Sequence, residues 1–168
     1  VTVEPEVLLM ADFGVNANNL CEGDPALFFD ESIGEITSWN WTFEGGTPET
    51  STEQEPIVVY NNEGIFDVTL EVSNGTNSNT LTVEDFITVF DAPEPEISGP
   101  DEVCWDDTEN YTTEYNAGST YEWEVSGGEI IAGAGTNEIS VLWTEWIIGY
   151  VLVTEDNGTC QTSTEPFE

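Results

Sequence analysis

At 168 residues the chain has room for one medium domain or two small ones, and 38% apolar content with six Trp, eight Phe and five Tyr is enough to build cores. Its 35 Asp and Glu face no Lys, Arg or His, a net charge of −35, so no side-chain salt bridge is available and nucleic acid and anionic lipid surfaces are disfavoured as partners relative to cations. No apolar run reaches the roughly 18 residues a membrane span needs, "WIIGYVLV" at 146–153 being the nearest, and no basic-then-apolar leader opens the chain. These features predict a soluble intracellular protein or a mature piece of an exported one, with no membrane insertion.

The first strong element is "TSWNWTFEGG" at 37–46, where Trp39, Trp41 and Phe43 alternate with polar residues. That period of two is the mark of a half-buried antiparallel strand, and it predicts all three rings in a core. Gly45 and Gly46 supply the unhindered backbone of a tight turn that ends the strand. Alternation returns in Phe66, Val68, Leu70 and Val72, and again in Ile139, Val141 and Trp143, while no helical period survives anywhere. Short strands at this spacing, with Asn, Gly and Pro between them, predict an all-β chain of sandwich type.

The pattern "WNWTFEGG" at 39–46 recurs as "YEWEVSGG" at 121–128, so that Trp123, Gly127 and Gly128 repeat Trp41, Gly45 and Gly46. Cys21 and Cys104 lie 83 residues apart, and "NGT" at 74–76 returns 83 residues later at 157–159. Three landmarks in register predict two tandem modules of about 80 residues each. The acidic, proline-stiffened stretch "DAPEPEISGP" at 91–100 is the boundary between them. "TVEPE" at 2–6 resembles the exit of the first module, which suggests that residues 1–6 are a linker or the tail of a preceding repeat in a longer array.

With "SWNWTFEGG", "EPIVVY" at 55–60, "GIFDVTLEVSNGT" at 64–76 and "ITVF" at 87–90, the first module resembles the polycystic kidney disease (PKD) domain over residues 10–90. The family's Trp-Asp-Phe-Gly-Asp-Gly is altered here to Trp41, Thr42, Phe43, Glu44, Gly45 and Gly46. The second module, with "GPDEVC" at 99–104, "YEWEVSGGEIIAGAGTNEISVLW" at 121–143 and "NGTC" at 157–160, is similar to PKD-like modules of long bacterial surface proteins. The resemblance implies two tandem immunoglobulin-like β-sandwiches, at 7–91 and 99–168, joined by a linker at 92–98. It also implies work as spacers, adhesive stalks or module-to-module assembly units, with the accessory glycan- or protein-binding region of a secreted hydrolase as the alternative.

The cysteines fit an exported protein. Cys104 and Cys160 stand near the two ends of the second module, and a disulfide between them would stabilise it by ~4 kcal/mol on the chain-entropy argument. In the repeat register the partner of Cys21 falls at Asn77, which leaves Cys21 as a small buried thiol, with interchain pairing as the alternative. Without histidine or lysine the chain lacks an imidazole base, a Schiff-base amine and a cationic oxyanion clamp, and no carboxylate pair stands out among the 35 acids, so no catalysis is expected.

Calcium is the one cofactor the composition suggests, because hard cations take six to eight oxygen ligands. The candidate ligands are Asp106, Asp107 and Glu109 after Cys104, the linker acids Asp91, Glu94, Glu96 and Asp101, and Asp24 with Asp30 and Glu31. None forms a D-x-D-x-D-G loop, and diffuse counterion screening is the competing reading. Asn40, Asn74, Asn110 and Asn157 stand in N-x-S/T sequons, two of which are Asn-Gly turns explained by backbone tolerance alone. Trp105 and Trp146 are the tryptophans that alternation explains least, which makes them candidate ligand-facing aromatics. The expected partners are neighbouring repeats, identical subunits joining at open sheet edges, or a surface glycan or protein.

Overall fold

A computed structural model describes residues 8–146 and 148–168; the expected linker or repeat tail at 1–6 lies outside the described residues. The chain divides into two compact units, one ending at Asp91 and the other running from Ala92 to Glu168. No helix occurs among the described residues.

In the first unit the strands are β1 (Phe13–Val15), β2 (Asn19–Cys21), β3 (Pro25–Asp30), β4 (Ser38–Phe43), β5 (Gly46–Thr47), β6 (Thr50–Ser51), β7 (Ile57–Tyr60), β8 (Gly64–Ser73) and β9 (Ser78–Phe90). They form two sheets, ordered β1-β3-β7-β5 and β2-β9-β8-β4-β6, with β2 running parallel to the end of β9. Alternate residues of each strand face inward: Ala26 and Phe28, Trp41 and Phe43, Val58 and Tyr60, and Val68, Leu70 and Val72 are all buried. Trp41 stacks on Phe43 at 5.6 Å and takes the edge of Phe13 at 5.4 Å, contacts that add to the area each ring removes from water.

Trp39 departs from expectation. It shares the inward face but lies near the sheet's end, only partly buried against the core, and its indole N–H donates to Asp30 Oδ2 at 2.8 Å. The glycine pair does end the strand at a turn over Glu44 and Gly45. It is the corner at which the chain leaves β4 in one sheet for β5 in the other. Gly45 takes the left-handed φ of 67°, and a Cβ on Gly46 would stand 2.6 Å from Val58.

The second unit contains β10 (Thr108–Thr112), β11 (Thr120–Ser126), β12 (Gly128–Ala132), β13 (Glu138–Trp143), β14 (Tyr150–Asp156) and β15 (Gln161–Ser163), in sheets β10-β13-β12 and β11-β14-β15. Tyr111, Tyr121, Trp123, Ile139, Val141, Trp143, Val151 and Val153 fill its core. Gly127, at φ 87°, is again the corner where the chain changes sheet, between β11 and β12.

The internal repeat is visible in hydrogen bonds. The Trp41 indole donates to Glu53 O at 2.8 Å and the Trp123 indole to Thr136 O at 2.7 Å. Asp24 accepts from the Cys21 amide and Asp107 from the Cys104 amide, each at 3.1 Å. Asn74 and Asn157 close matching turns by accepting two amides apiece through Oδ1.

The cysteines overturn the expected pairing. Cys104 is a free, exposed thiol, whereas Cys21 and Cys160 are both disulfide-bonded. Cys21 is therefore not the buried thiol its position in the repeat suggested. Geometry within the second unit explains why Cys104 and Cys160 stay apart. Cys104 opens a turn tied to Trp143, at the end where β11 finishes with Ser126, while Cys160 lies between β14 and β15 at the end where β11 begins with Thr120. The seven residues of β11 separate those ends by roughly 20 Å, against the 4–7 Å between Cα atoms that a disulfide tolerates.

Candidate binding surface

One end of the second unit is built unlike the rest. Residues 99–104 run beside β10, where Gly99 lets the backbone close on the Tyr111 ring and the Tyr111 hydroxyl donates to Pro100 O at 3.1 Å. The chain then turns over Cys104–Asp107, with Asp107 Oδ2 accepting from the Cys104 amide and Asp106 at a left-handed φ of 71°. The Asp106 amide donates to Trp143 O at 2.8 Å, which fixes the turn to the end of β13. This turn leaves Trp105 outside the core, and its indole N–H donates to Thr144 O at 3.2 Å.

The segment after β13 is anchored in turn by the Thr144 and Glu145 amides, both donating to Gly127 O at 3.1 Å. Gly149 returns the chain to β14 through a gap in which a Cβ would stand 2.4 Å from the Trp143 ring. Trp146 is thereby laid over Trp105, ring centroids 6.0 Å apart and planes within 8° of parallel. Trp105 is 52% exposed, and Trp146 and Ile148 are each 84% exposed. Both rings thus leave apolar surface in water that the core does not take up.

Beside the stack lies a cavity of about 620 Å³, with Tyr111, Trp143 and Phe167 among its apolar walls. Tyr111 meets Trp143 and Phe167 edge-on, each at 6.1 Å, and burial raises the Tyr111 phenol above its ordinary value of 10.0. Five carboxylates also line the opening: Asp101, Glu102, Asp107, Glu145 and Glu168. The free Cys104 stands among them.

The expected ligand-facing pair, Trp105 and Trp146, is thus brought into contact across 41 residues of sequence. The candidate metal ligands are not. Among the described residues no group of three or more acids or cysteines converges so as to hold a metal ion. Asp107 and Asp24 each cap their own turn, and Asp30 accepts from Ser32, Trp39 and Gln54. Glu109 lies in β10 opposite Val141, and Asp91, Glu94 and Glu96 join no such group with Asp101. The carboxylate rim itself went unforeseen, because Glu145 and Glu168 reach it only through the fold.

These two sandwiches define a tandem of immunoglobulin-like modules. The chain matches the PKD domain over residues 12–85 and the PKD-like domain over residues 91–167, so the two units are a PKD-type and a PKD-like domain in tandem. No curated protein matches it. Among solved structures, it is similar to one described as carbohydrate-binding modules from the β-sandwich superfamily, with 18% identity and a TM-score of 0.46 over 89% of this chain and 56% of that one. It therefore spans a little over half of that structure. It is also similar to murine CEACAM1b, with 12% identity, a TM-score of 0.38 and coverage of 97% and 98%, and to the Yersinia pseudotuberculosis adhesin InvE, with 12% identity, a TM-score of 0.32 and coverage of 96% and 58%.

Proposed function

We propose that the chain is a pair of non-catalytic adhesive modules from an extracellular, cell-surface protein, in which the sandwiches are a scaffold and the Trp105–Trp146 end of the second unit is the binding surface. The observation that carries this reading is the stack itself, two parallel indoles held in water by backbone anchors on both sides. Oxidised Cys21 and Cys160 support an oxidising, exported setting. The acids act as a solvating surface with a mobile cation atmosphere, calcium included, and the chain binds neither nucleic acid nor membrane.

Adhesion of chain-coated fluorescent beads to immobilised cellulose, chitin, mucin and fibronectin tests the reading. Wild-type beads are retained on at least one surface, and beads carrying Trp105→Ala with Trp146→Ala are not, although both chains melt alike. Equal retention of the two, or none by wild type, overturns it. Retention confined to the polysaccharides would instead favour the accessory glycan-binding role.

A further inference from the structure

The geometry points to a cationic ligand, an arginine-bearing segment of another protein, as the occupant of this surface; the inference rests on the binding role proposed for the tryptophan stack. Two features meet here: open indole faces, and a rim of five carboxylates on a cavity of about 620 Å³, a size that takes one or two side chains. No positively charged side chain exists anywhere in the 168 residues to neutralise that rim. Bringing five acids around one opening is repulsive, and a cation entering it relieves the repulsion at the moment of binding.

The choice among cations follows from shape. A bare metal ion needs oxygens converging on a point, and no such group of acids exists among the described residues. A guanidinium is flat and spreads its charge; it stacks on an indole face while its edge donates in pairs to carboxylates at the rim. Trp105, Glu102 and Glu145 line the cavity, and Trp146, stacked on Trp105, offers an open face over a smaller hollow that it lines with Glu145. A second copy of these modules cannot be the occupant, since it carries no arginine or lysine. The partner must bring the charge that this chain lacks.

The test is a fluorescence titration of the whole chain at 0.15 M NaCl, a chosen ionic strength near the physiological one. The probes are a capped Gly-Ser peptide carrying two arginines, its two-lysine counterpart, and cellohexaose. The arginine peptide should bind tighter than the lysine one, and Trp146→Ala should weaken it about fivefold to tenfold. Glu102→Gln with Glu145→Gln should weaken it by a similar factor. Glu49→Gln with Glu84→Gln, exposed acids of the first unit that remove the same charge, should not.

Equal loss with both Gln pairs and none with Trp146→Ala would mean diffuse attraction to an acidic protein, and would overturn the assignment. Cellohexaose binding that depends on Trp146, without arginine binding, would overturn the ligand class and leave the platform standing. No Trp146-dependent binding of any probe would remove both. Trp146 is 84% exposed, so its removal leaves the core intact and each outcome can be read from a folded chain.

Discussion

At the residue scale, a few side chains decide stability, and Asp30 and Tyr60 are among those that respond to pH. Trp41 is fully buried and its indole is bonded, so Trp41→Ala should cost about 3–5 kcal/mol in urea denaturation. Asp30 is partly buried, which by itself would raise its carboxyl, but hydrogen bonds from Ser32, Trp39 and Gln54 outweigh this and hold it below 3.8. A depressed folded value stabilises the native state above the unfolded value and loses that contribution as pH falls through the folded one. The stability gap between wild type and Asp30→Asn should therefore be open at neutral pH and close in acid. Tyr60 behaves oppositely: burial pushes its phenol well above 10.0, so its contribution is neutral below pH 10 and turns destabilising above it, a loss that Tyr60→Phe should lessen. Absorbance at 295 nm, a standard wavelength for tyrosinate, follows it directly.

Cysteine chemistry belongs to the same scale. One thiol should titrate with Ellman's reagent in the native, unreduced chain, and none in Cys104→Ser. The sequence could not foresee this. Spacing placed Cys104 and Cys160 near the ends of one module without saying that those ends were opposite, a fact fixed only by the crossing from β11 to β12. Trp39 misled in a related way: alternation assigns a face, but burial depends on how far along the strand the opposing sheet extends.

At the scale of elements, alternation carried most of the architecture. β4, β8, β11 and β13 all stand where inward-facing apolar residues recur every second position. The glycine pairs were legible as breaks but not as sheet-to-sheet corners, because a break in period does not reveal which strand comes next to it. The corner gives a clear test. Gly46→Val would press a side chain into Val58 and Phe43 and should destabilise the first unit by about 1–3 kcal/mol, read from its denaturation midpoint. The sequence offered Trp105 and Trp146 as two candidate ligand-facing aromatics, without showing that they stack. Their union needs the anchors to Gly127 O and Trp143 O, which no local pattern announces.

At the scale of the whole molecule, −35 charges without a single opposing side chain make the chain a polyanion held folded by two apolar cores. Salt should raise its melting temperature by screening that repulsion. Because no metal-holding group of acids converges among the described residues, calcium and sodium at matched ionic strength should act nearly alike. A much larger shift in calcium would restore a defined site.

The central claim is that binding is confined to one end of the second unit while the remaining acids stay solvated. Amide chemical-shift mapping of the isotope-labelled chain, titrated with the two-arginine peptide, tests this most directly. Perturbations should gather at residues 99–107, 143–146, 148–149 and 167–168. Perturbations scattered over acidic strand faces of both units would contradict it.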